Sequence, residues 1–197
     1  MIQQYIHSIT KEEISTLPVE EFPGRIIVID TLKDTEKALF YLSQFNKVGF
    51  DTETRPNFKK GCNHKISLMQ ISTDEVCFLF RLNKIDIPPL LADFLASEQI
   101  LKIGVSLKDD FWAIRRRKEI ELANFFDLQR YVGQFGIEDV SLQKIYAILF
   151  KKKITKGQRL SNWEAAEFTE AQKKYAALDA WACLKIYNQL TEINEGV

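Results

Sequence analysis

Cysteine is scarce in this chain of 197 residues: only Cys62, Cys77 and Cys183, widely spaced. Such a set builds neither a disulfide framework nor a zinc site. Cys62-Asn63-His64 is the nearest approach to a ligand pair, and free thiols in a reducing, cytoplasmic setting are the expectation. Glycine (8) and proline (5) are also few, with no repeat, low-complexity stretch or Gly/Pro-rich linker. A single domain over residues 1–197 is therefore expected. No apolar run approaches the roughly 18 residues of a membrane span, and MIQQYIHSITKEE lacks the charged-then-apolar pattern of a secretory leader. No membrane partner is expected. Net charge is missing too: 27 basic residues balance 27 acidic ones. Composition thus neither marks nor excludes nucleic acid, and only local patches can. With no Gly-x-Gly-x-x-Gly and no Walker loop, a small-molecule α/β enzyme lacks support.

What is present is hydrophobic pattern: 46% of residues are apolar. Residues 25–30, 47–53, 65–72, 75–81 and 100–105 are rich in Ile, Val and Phe and read as strands. Helical spacing covers 34–45, 89–97, 107–118, 128–134, 141–150 and 169–193. Capping boxes are expected at Ser106 with Asp109, Ser161 with Glu164 and Thr169 with Gln172. Short connections between 47 and 81 predict antiparallel hairpins, and the strand near 100 follows a helix and is expected to run parallel to the first. The pattern predicts an α/β fold, a mixed sheet flanked by helices.

Acids stand out against this frame. Asp-Thr-Glu occurs twice, at Asp34-Thr35-Glu36 and Asp51-Thr52-Glu53. At average usage, any Asp-x-Glu should appear about once in such a chain, so context must separate the copies. The first precedes KALFYLSQF; Asp34 is expected as an N-cap, with Glu36 in the first turn facing the helix dipole. The second ends the strand KVGFDTE. Alternation places Gly49, Asp51 and Glu53 on one face and Val48, Phe50 and Thr52 on the other. Two carboxylates on one face repel unless a cation or proton lies between them.

Two further acids could join them. In IGVSLKDDFWAI, Asp109 fits the capping box, whereas Asp110 has no capping task. On the last helix the apolar stripe is Tyr175, Leu178, Ala182, Ile186, Leu190 and Ile193. Asp179 sits at its margin, four residues after Tyr175 and so beside it.

Taken together, VGFDTET, IGVSLKDDFWAI and YAALDAWACLKIY resemble the three motifs of the DEDD-type 3′–5′ exonucleases of the ribonuclease H-like superfamily. Lys174 stands where one branch has His, while Tyr175 to Asp179 fits the Tyr branch, similar to ribonuclease D and the exonuclease domain of Werner-type helicases. ISLMQIS and LSNWEAAEFTEAQ add similar context, and the likeness spans about residues 25–192. It implies a mixed five-stranded sheet. It also implies a two-metal hydrolysis of DNA or RNA from the 3′ end, releasing nucleoside 5′-monophosphates. Asp51, Glu53, Asp110 and Asp179 would hold two divalent cations, Mg²⁺ or Mn²⁺, whose hard charge suits oxygen ligands. Four carboxylates match the charge of two such ions. Tyr175 would orient the attacking water. A non-catalytic binding module of the same fold is the alternative.

Basic segments flank these acids. TRPNFKKGCNHK offers Thr54, Arg55, Phe58, Lys59 and Lys60, and KKKITKGQR offers Lys153, Lys156 and Arg159. These could track phosphates, with Phe58 stacking on a base. The run Arg115-Arg116-Arg117-Lys118 reads as an ordinary helix surface. The 197 residues show no counterpart of ribonuclease D's added helical domains or of a helicase. A stand-alone nuclease aided by a helicase or another nucleic-acid-processing partner is the expectation.

Overall fold

The computed structural model describes residues 5–57 and 64–195, with side chains through Glu192. In chain order the elements are α1 (Lys11–Thr16), β1 (Arg25–Ile29), α2 (Leu32–Leu42), β2 (Lys47–Thr54), β3 (Ile66–Ser72), β4 (Val76–Phe80), α3 (Leu82–Ile85) and α4 (Pro89–Ala96). There follow β5 (Leu101–Gly104), α5 (Leu107–Arg117), β6 (Phe125–Asp127), α6 (Leu128–Tyr131), a 3₁₀ turn (Val132–Phe135), α7 (Leu142–Phe150) and α8 (Glu170–Glu195).

The sheet order is β1-β4-β3-β2-β5-β6. β2–β3 and β3–β4 pair antiparallel, as the short connections predict, while β1–β4, β2–β5 and β5–β6 pair parallel. β3 alone runs against the rest. The sheet thus has six strands rather than the five expected. The sixth, Phe125–Asp127, is three residues long and too short to show alternation.

Both faces of the sheet are covered. Val48, Phe50, Met69 and Ile71 pack under α2, α4 and α5. Leu68, Leu79 and Ile103 pack with α7 and α8 on the other face. α8 lies across the central strands because its inner surface is small. Ala176, Ala177, Ala180 and Ala182 are fully buried, and a Cβ on Gly49 would sit 1.9 Å from the Ala180 carbonyl oxygen. This close approach of helix backbone to strand brings Asp179 to the face that carries Asp51 and Glu53.

Helix starts differ from the expected caps at three places. Thr31, not Asp34, caps α2; Asp34 stands at the third helical position, and its carboxylate accepts from the Thr31 hydroxyl. Ser106 has φ 63° and makes no side-chain cap. No helix follows Ser161; the Glu164 amide donates to Asn162 Oδ1 instead. The Thr169–Gln172 box forms in both directions.

Candidate active site

β2 delivers Asp51 and Glu53 to one side of the sheet, and α8 lays Asp179 over them. One carboxylate oxygen from each of the three lies within 4.8 Å of the others. They line an open cleft of about 430 Å³ with Tyr175, Arg159, Ser106 and Gln129. Tyr175 is 9% exposed, and its ring stacks on the fully buried Trp163, centroids 6.1 Å apart. Its hydroxyl hydrogen-bonds Asp179.

The electrostatics are those of uncompensated negative charge. Burial pushes Asp51 well above the usual carboxylate range, and Glu53, Asp110 and Asp179 push it further. Glu53 rises to about 9 through burial and the charges of Asp179 and Asp110, with Arg159 opposing. Burial raises Asp179 to about 7 against the Tyr175 hydrogen bond and the charge of Lys156. Burial likewise raises the Tyr175 hydroxyl far above its ordinary value, helped by Asp179 and Glu53. Asp179 Oδ1 is buried without a hydrogen-bond partner among the described residues. Hard oxygen donors, excess negative charge and an orphaned oxygen fit a divalent cation.

Asp110 is placed differently. It projects from the first turn of α5 toward the opposite face of β2, where its carboxylate accepts the Thr52 hydroxyl. It lies outside the close trio of acids, yet its charge acts on Asp51 and Glu53. Burial raises it to about 6, with the Thr52 bond opposing. Its neighbour Asp109 is exposed.

The basic residues divide. The charges of Lys156 and Arg159 reach the acids, whereas Lys153 Nζ donates to Ser15 O at 2.5 Å. Thr54 and Arg55 line a second hollow of about 550 Å³ beside Asp110, and Arg55 pairs with Glu164 at 3.1 Å. Phe58, Lys59, Lys60 and Cys62 lie outside the described residues.

Asp127 is absent from the sequence-derived site. Its oxygens accept from the backbone N–H groups of Ser106, Leu107 and Gln129 at 3.0–3.1 Å, fixing the β5–α5 turn from which Asp110 projects. The only sequence signal is an acid after Phe125-Phe126, a run too short to mark a strand. Trp163 and Gln70 also stand beside the site, and no local sequence pattern marks them for it. Gln70 stands opposite Asp51 in β3, fully buried, with neither amide atom partnered among the described residues.

The chain is similar to known proteins. The family model described as 3′-5′ exonuclease matches residues 26–195. The mouse bifunctional 3′-5′ exonuclease/ATP-dependent helicase WRN is 32% identical over 189 residues, covering 91% of this chain but 14% of the mouse protein. A 3′-5′ exonuclease of Arabidopsis thaliana is 26% identical over 196 residues, covering 91% of this chain and 68% of its own. Escherichia coli RNase D has the same fold, with TM-score 0.76 at 20% identity over 86% of this chain and 45% of that one. The matched residues run from β1 through α8 and include all four acids and Tyr175, and the chain belongs to the 3′-5′ exonuclease family.

Proposed function

We propose that the protein hydrolyses phosphodiester bonds at the 3′ end of a DNA or RNA strand and releases nucleoside 5′-monophosphates. The observation that carries this reading is the trio Asp51, Glu53 and Asp179, three acids crowded together with one oxygen left unpartnered. Mg²⁺ or Mn²⁺ suits the trio, with Asp110 contributing from across Thr52. Divalent ions there would supply an activated water and neutralise the departing 3′ oxygen.

The chain's own residues define the rest. Tyr175 keeps its proton at neutral pH, because burial and the carboxylates of Asp179, Glu53 and Asp51 disfavour phenolate. Its role is to orient the water, not to deprotonate it. Trp163 holds the Tyr175 ring flat, and the tie to Asp179 fixes the hydroxyl. Lys156 and Arg159 lie close enough to influence Asp179 and Glu53 and would attract the scissile phosphate. The mouse relative's name joins exonuclease to helicase, which supports a helicase as partner.

The test is digestion of 5′-labelled single-stranded DNA and RNA with Mg²⁺, with Mn²⁺ and with EDTA, alongside Asp51→Ala. A metal-dependent ladder shortening from the 3′ end, lost in the variant, is expected. Binding without cleavage under every condition would replace the enzyme with a binding module.

A further inference from the structure

The last turn of α5 carries Arg115, Arg116 and Arg117, with Lys118 as its C-cap, and the acid cleft uses none of these four cations. Helical geometry sends them different ways. Arg117 donates to Ile66 O at 2.8 Å and pairs with Asp86, and Lys118 donates to Ile87 O. These two are fastened to the fold. Arg116 lies over the exposed Trp112 ring, in the hollow beside Asp110. Arg115 lies over Phe111 on the other flank, where a groove of about 510 Å³ opens between α5, β6 and α6.

Lys108 from the start of α5 and Arg130 from α6 line the same groove. All three cations are exposed, and among the described residues none holds an acid within ion-pair distance. Elsewhere Lys37, Lys144 and Lys173 each hold a carboxylate. The acid that lines this groove, Asp127, is occupied by the backbone amides of Ser106, Leu107 and Gln129. In a chain without net charge this is a local positive excess, and a polyanion complements it. The aromatic walls pack edge-on against one another, Phe111 on Phe125 and Phe126 on Tyr131. The groove therefore offers charge rather than stacking platforms, which suits backbone contact without base readout.

Position supplies the second argument. Ser106 and Gln129 line the acid cleft, while Leu107, Asp127 and Arg130 line the groove. Adjacent residues, Ser106 beside Leu107 and Gln129 beside Arg130, thus line different hollows, and Asp127 holds the β5–α5 turn between them. A strand whose 3′ end lies at the acids can continue over that turn.

We propose that Lys108, Arg115 and Arg130 form a phosphate track that holds the sugar–phosphate backbone of the substrate strand upstream of its 3′ end. The proposal rests on the nuclease reading and deepens it: long strands would bind better than short ones, without sequence preference.

The test is a salt titration of oligonucleotide binding, read by fluorescence anisotropy in EDTA, with a trinucleotide and a long single strand. It compares wild type with the triple variant Lys108→Gln/Arg115→Gln/Arg130→Gln. If three phosphates are contacted, the slope of log affinity against log salt for the long strand becomes shallower by about 2 in the variant. Its affinity falls roughly tenfold or more, while trinucleotide binding is unchanged. The charge-preserving variant Lys108→Arg/Arg115→Lys/Arg130→Lys keeps the wild-type slope. An unchanged slope and affinity in the Gln variant would overturn the track. Wild-type hydrolysis of the trinucleotide with Mg²⁺ tests the nuclease reading separately. Its absence together with the slope change would remove that reading and leave the groove standing as a nucleic-acid site.

Discussion

The protein buries carboxylates in two places and treats them in opposite ways. Glu20, 7% exposed, accepts from the Tyr146 hydroxyl at 2.6 Å and from Lys152 and Lys185 at 3.0 Å each. Burial alone would raise its pKa, but these partners more than reverse that and hold it at about 2. Burial raises Asp51, Glu53 and Asp179, and neighbouring carboxylates raise the first two further. The two centres meet on one helix, since Lys185 and Asp179 both belong to α8. One centre carries its own cations and ties the N-terminal segment to α7 and α8. The other has only the more distant charges of Arg159 and Lys156, which do not bring its acids back to ordinary values, and the excess negative charge suits an external cation.

Charge removal should therefore act in opposite directions at the two centres. Asp51→Asn is expected to lower cleavage by about a thousandfold or more, an effect of the size expected when a group central to catalysis is lost. In EDTA the same change relieves repulsion, so the melting temperature should hold or rise. Glu20→Gln is expected to lose about 3 kcal/mol, because two lysines lose their counter-charge. That corresponds to a melting point lower by roughly 6–12 °C in a chain of this size, with cleavage per folded molecule unchanged. Calorimetry beside the digestion assay checks both variants. A destabilised Asp51→Asn in EDTA would break the contrast.

Stability against pH sharpens it further. Glu20 titrates at about 2 in the folded protein against an ordinary 4.5, so its contribution is present above 4.5 and disappears as pH falls toward 2. Glu53 is raised to about 9, so the folded, metal-free protein binds its proton more tightly than the unfolded chain. Stability should then fall as pH rises from 4.5 to 9. Denaturant midpoints in EDTA should show a maximum between these limbs. Glu20→Gln should flatten the acid limb, and Glu53→Gln the alkaline one. If both variants follow the wild-type curve, the two centres do not differ as described.

Much of this was legible in the sequence, because the strand period alone places Asp51 beside Glu53 and helical spacing alone places Tyr175 beside Asp179. Five strands and all the longer helices show in local pattern for the same reason. What local pattern does not carry is partnership at a distance. Ser106 followed by Asp109 has the letters of a capping box, but its left-handed backbone turns the hydroxyl away and Asp127, 21 positions on, supplies the acceptor. The counter-charges of Glu20 come from positions 152 and 185. Asp110 was expected among the metal-holding acids by motif, yet which face of β2 it meets depends on how α5 packs, and no spacing reports that.

The smallest expected effect tests that last point. Thr52 points to the opposite face of β2 from Asp51 and Glu53, and its hydroxyl is the donor that Asp110 accepts. Thr52→Val keeps the β-branched shape the strand favours and removes only that donor. The bond opposes the rise of Asp110, so losing it should raise the carboxyl further and leave it less available as an anion. A single hydrogen bond to a charged group contributes about 1.5–3 kcal/mol, and the melting point should fall by a few degrees. Cleavage should fall several-fold, with more Mg²⁺ needed for half-maximal rate, because Asp110 acts on the acid trio only from a fixed position. Unchanged metal dependence beside a lowered melting point would make Thr52 and Asp110 a structural tie between β2 and α5, and would confine the metal-holding acids to Asp51, Glu53 and Asp179.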